Sequence, residues 1–161
     1  MTRKSSPKIE VIIEDANWRK LSPRARTRMQ RASLRALERE KAQGALTILL
    51  AGDARLKALN ALFRGKNKPT NVLSFPSAER GYLGDVAIAY GVVKKEARAA
   101  GRTLSDHLAH LAVHGTLHVL GHDHEKPREA RRMETLETEI LAEFGIADPY
   151  AVTRKSRTRH G

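Results

Sequence analysis

Six of the seven histidines in this 161-residue chain, His107, His110, His114, His118, His122 and His124, fall within eighteen consecutive residues. The first four lie on a stretch, Leu104–Leu120, that reads as a helix. At 100° per residue they fall within about 80° of one another on one helical face. A face carrying that many imidazoles must satisfy each with a buried polar partner or turn some of them toward a metal ion. The i,i+4 pair His114 and His118 holds its Cβ atoms roughly 5–6 Å apart. Two imidazoles so placed can share one ion at Zn–N distances of about 2.0–2.1 Å.

A third ligand needs the chain to come back. His124 lies six residues past His118, about 600° of helical rotation, so an uninterrupted helix would aim it elsewhere. Gly121 removes the difficulty, because glycine readily takes the left-handed conformation that ends a helix and reverses the backbone. The spacing His-x3-His-x2-Gly-x2-His is therefore a recipe for three imidazoles around one cation, with a coordination position left for water. On an extended return, His122 and His124 would face the same way, so spacing does not choose between them. His107 is expected to be exposed, and His110 to act behind the ligands or structurally. Asp123 is expected to hydrogen-bond within the turn. Zinc peptidases share this spacing but place a glutamate directly after the first histidine. Here that position is Gly115, so the general base of peptide hydrolysis is missing from its place.

Around this block the chain alternates. Strands are predicted at Lys8–Glu14, Thr47–Ala51, Asn71–Phe75 and Asp85–Tyr90. Helices are predicted within Trp18–Gln43 with Ser22-Pro23 as the start and Gly44 as the stop, from an Asp53 cap through Phe63, and at Val92–Ala100, Leu104–Leu120 and Pro127–Phe144. The order implies a single α+β domain, 8–150: a small mixed four-stranded sheet packed with about five or six helices, the metal site at the C-terminal end of a central helix. The ends, 1–7 and 153–161, are polar and basic and are expected to be disordered. The absence of cysteine excludes disulfide scaffolds, thiolate metal sites and cysteine nucleophiles, and fits a reducing compartment. The most apolar run, Ala45–Ala51, is far short of the ~20 residues that cross a bilayer, and the N-terminus has no signal-peptide core. The expectation is a soluble, cytoplasmic protein with no membrane partner.

At this point the chain resembles a known family. His114-Gly-Thr-Leu-His118-Val-Leu-Gly121-His-Asp-His124 is similar to the signature of the YbeY family of bacterial endoribonucleases, or rRNA maturation factors. A second block agrees: Leu59-Asn60, Arg64-Gly65 and Lys68-Pro69-Thr70-Asn71-Val72-Leu73-Ser74-Phe75-Pro76. A third, Leu83-Gly84-Asp85-Val86-Ala87-Ile88, stands where the family has its own Gly-Asp strand. The resemblance runs from about Val11 to Phe144. The family usually has tyrosine where this chain has His122, which favours His124 as the third ligand. The resemblance implies a metal-dependent endoribonuclease specific for single strands, acting in small-subunit rRNA 3′-end maturation and ribosome quality control, in association with the small ribosomal subunit. It also implies one zinc ion on His114, His118 and His124, and a functional role for Arg64 beside His114.

The chemistry agrees with that implication. Cleaving a phosphodiester builds negative charge on the non-bridging oxygens, which a divalent ion and a guanidinium both stabilise. Whether water or the 2′-hydroxyl attacks is left open. A non-catalytic ribosome-assembly factor with a structural zinc is the competing reading, and a metallopeptidase the lesser one. Asp85 and the Thr70-Asn71 pair are expected to be structural. Lys+Arg 30 against Asp+Glu 18, a net charge of +12, favours a polyanionic partner. Nine of those basic residues (Arg19, Lys20, Arg24, Arg26, Arg28, Arg31, Arg35, Arg39, Lys41) lie between 19 and 41, a stretch able to follow a phosphate backbone. With aromatics at only 4%, base stacking contributes little. Binding of single-stranded RNA to this protein should therefore weaken by at least about tenfold between 50 and 200 mM salt, measured by filter binding or anisotropy; an affinity indifferent to salt would refute the electrostatic reading.

Overall fold

The computed structural model describes residues 6–151. Of the basic ends, only Ser6 and Pro7 fall among them; the rest of 1–7 and all of 153–161 lie outside the described residues. The order is β1 (Lys8–Ile13), a 3-10 turn (Ala16–Lys20), α1 (Pro23–Arg39), β2 (Ala45–Ala51), α2 (Asp53–Arg64), β3 (Val72–Pro76), β4 (Tyr82–Ala89), α3 (Tyr90–Ala99), α4 (Leu104–Val119) and α5 (Pro127–Glu143). The sheet has strand order β1-β2-β4-β3, with β1 and β4 parallel to β2 and β3 antiparallel to β4. The expected α+β domain with a mixed four-stranded sheet is thus the observed one.

Alternation along the inner strands sends their side chains to two layers. Leu46, Ile48 and Leu50 of β2, with Val86 and Ile88 of β4, pack against Met29 and Leu37 of α1 and Leu108, Leu111 and Ala112 of α4. The opposite face, with Ala51, Ala87, Ala89 and Leu73, packs against Leu56 of α2. A third layer joins Ala32 and Ala36 of α1, Ala109, Val113 and Leu117 of α4, and Met133, Ile140 and Leu141 of α5. Helix α4 is therefore enclosed by the sheet on one side and by helices on the others.

Helix α1 starts at the predicted Ser22-Pro23: Ser22 caps it by accepting from the amide of Ala25 while Pro23 opens it, and the residues before it form a 3-10 turn. Trp18, fully buried, anchors the turn by donating Nε1–H to the Ala51 carbonyl at 2.8 Å. Strand β4 begins at Tyr82 rather than Asp85. Asp53 does not cap α2; its carboxylate accepts from the amide of Val92 at 3.0 Å, in the first turn of α3.

Gly84 interrupts β4 at φ +149°, where a Cβ would lie 2.4 Å from the Phe75 carbonyl oxygen. Gly101 also has positive φ, +66°, but opens onto free space. Gly84→Ala should lower unfolding stability by more than about 2 kcal/mol, since strain and overlap add. Gly101→Ala should cost only about 1–2 kcal/mol. Urea denaturation followed by circular dichroism measures both, and equal losses would contradict the geometry.

Candidate metal centre

Helix α4 ends as the glycine at 121 predicts. Gly121 takes φ +98°, its amide donates to the His118 carbonyl and the His122 amide to the Leu117 carbonyl, a Schellman closure. Beyond it, the Asp123 carboxylate accepts from the backbone amides of His124, at 2.6 Å, and Glu125, at 3.2 Å. This turn brings His124 back over the helix end. One nitrogen from each of His114, His118 and His124 falls within 4.8 Å of the others, and His118 Nε2 lies 3.1 Å from His124 Nδ1.

The donor set suits a metal ion. Imidazole ligates only when neutral, and the His118 imidazole is pushed down to about 4 by burial and by the neighbouring His114 and His124 rings. His122, by contrast, points to the other side of the turn and pairs through Nε2 with Glu40 at the end of α1. Because the return is a bent turn and not a strand, two residues two apart face different neighbours.

Arg64 is the last residue of α2, and Gly65 closes that helix in the left-handed conformation at φ +66°. The buried Asn60 donates its Nδ2 to the Lys68 carbonyl at 3.0 Å, tying the loop 65–69 back to α2. Arg64, Asn71, Val72, Ser74 and Pro76 line one cleft of about 540 Å³ together with His114, His118, Asp123, His124 and Glu125. The structure thus brings Arg64 and the three imidazoles to one opening.

Gly115 explains itself in the packed helix. A Cβ there would meet Val86 Cγ1 at 2.6 Å, and Ser74 Oγ donates to the Gly115 carbonyl at 2.9 Å. The position at which a zinc peptidase carries its glutamate is here pressed against the sheet, with no room for a side chain.

The chain matches the family model described as endoribonuclease YbeY over residues 11–145. It belongs to the YbeY family. The endoribonuclease YbeY of Rhodopseudomonas palustris is 44% identical over 161 residues, covering 94% of this chain and 85% of the relative. That of Azorhizobium caulinodans is 48% identical over 153 residues, covering 89% and 96%. The solution structure of TM1509 from Thermotoga maritima shares the fold, with a TM-score of 0.60 over 92% of this chain and 93% of that one at 23% identity.

In this YbeY-family chain the residue that sequence reasoning missed is Glu137 of α5. It is fully buried, and its Oε1 accepts from His114 Nδ1. Burial alone would raise its carboxyl, but the neighbouring His110 and His114 outweigh that and hold it at about 2. His110, Nε2 3.8 Å from Glu137 Oε2, stands behind the ligands as expected. His107, expected on the surface, is buried and bonded to Glu96 at 2.9 Å. A glutamate in an α5 face otherwise reading Met133, Ile140 and Leu141 was the available signal. His124→Ala should strip far more zinc from the purified protein than His122→Ala, by metal analysis after dialysis; the opposite order would overturn the ligand assignment.

Proposed function

We propose that this protein is a metal-dependent endoribonuclease that cleaves single-stranded RNA, with precursor rRNA of the small ribosomal subunit as its substrate and the cytoplasm as its place of action. The observation that carries the reading is the cleft shared by Arg64 and three imidazoles on a basic chain of a family named for endoribonuclease activity.

His114, His118 and His124 would hold one zinc ion, His114 doing so beside the reacting phosphate. Bound there, the ion would supply Lewis-acid stabilisation of phosphate charge and acidify a water. Arg64, exposed at the opposite lip, presents a fork of donors matched to phosphate oxygens and stabilises the charge that develops on them. Lys66 and Lys68, exposed on the same loop, extend positive potential along the entering strand. The sequence alone named the basic stretch 19–41, which includes α1, as a phosphate path. There Arg28 pairs with Asp106, Arg35 with Glu143 at 3.2 Å and Arg39 with Glu139 at 2.7 Å. These pairs draw three of the nine charges into contacts between helices, which shifts the reading toward the cleft. Among the described residues no helix is long and apolar enough to cross a membrane.

Zinc-loaded protein should cut a labelled single-stranded RNA and spare the same sequence in a duplex. Arg64→Ala should slow cleavage by about 10²–10³, and His114→Ala should reduce it to background. Equal cleavage by all three proteins would refute the assignment and expose a contaminating nuclease.

A further inference from the structure

Behind the three imidazoles a line of polar side chains runs through the protein from the cleft lip to His114. It begins at Asn71, whose Nδ2 donates to Glu96 Oε1 at 3.0 Å; the same oxygen meets His107 Nε2 at 2.9 Å. Arg102 Nη1 then lies 3.2 Å from His107 Nδ1 and 3.3 Å from His110 Nδ1. His110 Nε2 lies 3.2 Å from the Tyr150 hydroxyl, which donates to Glu137 Oε2, while Glu137 Oε1 meets His114 Nδ1.

The direction of these bonds follows from two groups of fixed role, the Arg102 guanidinium in the middle of the line and the Glu137 carboxylate beside His114. A guanidinium has donors only, so both Nδ1 atoms facing Arg102 accept, and each neutral ring carries its proton on Nε2. His107 and His110 therefore donate onward through Nε2. The Tyr150 oxygen accepts from His110 and passes its own proton to Glu137. An ionised carboxylate has acceptors only, so the nitrogen of His114 that meets it must be Nδ1–H. That leaves Nε2 of His114 as the bare nitrogen.

We propose that Glu137 is the positioning residue of the metal centre, locking His114 in the Nδ1–H tautomer so that Nε2 is presented to the cation, with Arg102 setting the polarity of the line that holds Glu137. The proposal rests on the reading of His114 as a ligand. Glu137 is not itself a ligand, although His110, His114 and Glu137 also lie close enough to hold an ion. One of its oxygens is taken by His114 and the other by Tyr150. A fully buried carboxylate is costly unless hydrogen bonds satisfy it, and here His114 and the Tyr150 hydroxyl supply them. Its place in the fold is accounted for by what it does to the imidazole.

Zinc binding measured against a competing chelator, and long-range proton–nitrogen correlation spectra of the zinc-free protein, test this together. In the wild type, one zinc should bind, with His114 as Nδ1–H and His107 and His110 as Nε2–H. Glu137→Ala should bind zinc 10–100-fold more weakly and lose the His114 signature. Glu137→Gln, whose amide oxygen still accepts from Nδ1–H, should keep the tautomer and recover most of the affinity. Wild-type protein that binds no zinc would sink the metal reading, and this proposal with it. A wild type that binds zinc overturns the proposal alone if Glu137→Ala binds equally well, if His114 is Nε2–H, or if X-ray absorption finds a carboxylate oxygen on the ion. Should Glu137→Ala fail to fold, the wild-type spectra and X-ray absorption decide.

Discussion

A helix enclosed on all sides that also carries four imidazoles must find a partner for each before it can be buried, because an unpaired polar group in a dry interior costs a kcal/mol or more. Helix α4 is that helix, and the surrounding elements are arranged to answer it. α3 supplies Glu96, the turn before α4 supplies Arg102, and α5 with the chain beyond it supplies Glu137 and Tyr150. Only toward its C-terminal end does the helix leave imidazoles facing open space, at His114 and His118, beside His124. The candidate metal centre sits at the end of that partner network, where His114 still meets Glu137 and also lines the cleft.

The same enclosure dictates the small residues. α4 approaches β3 and β4 closely enough that Gly115 touches Val86 and accepts a hydrogen bond from Ser74. Close approach brings the imidazoles of α4 level with the strand residues Val72 and Ser74 that wall the cleft. A larger side chain at 115 would push the helix off the sheet and separate the two walls. The arrangement that shapes the cleft is thus also the one that excludes the peptidase base.

Charge is distributed with similar economy. Basic residues of α1 facing α4 and α5 are matched by Asp106, Glu139 and Glu143, while Arg64 at the end of α2 lines the cleft and is exposed, as are Lys66 and Lys68 on the loop after it. A net charge of +12 therefore acts unevenly. Part of it joins helices, and the part near the cleft is free to meet an anion.

Much of this was written in local pattern. The short apolar run Thr47–Ala51, the Ser22-Pro23 start, and the His-x3-His-x2-Gly-x2-His spacing each depend on backbone geometry within a few residues, so the strands, most helices and the reversal at Gly121 could be read from the chain alone. What depends on residues far apart could not. His107 was expected on the surface because nothing near it in sequence reveals Glu96 as its partner, and Asp53 was assigned to its own helix when it caps another. His122 and His124 were equivalent by spacing; in the fold Glu40 at the end of α1 takes the first, while the second joins His114 and His118. Sequence by itself determined which residues offer chemistry; packing between α4 and α5 decided how one of them, His114, is held, since Glu137 lies 23 positions away and meets it only when both helices bury their apolar faces in the same core.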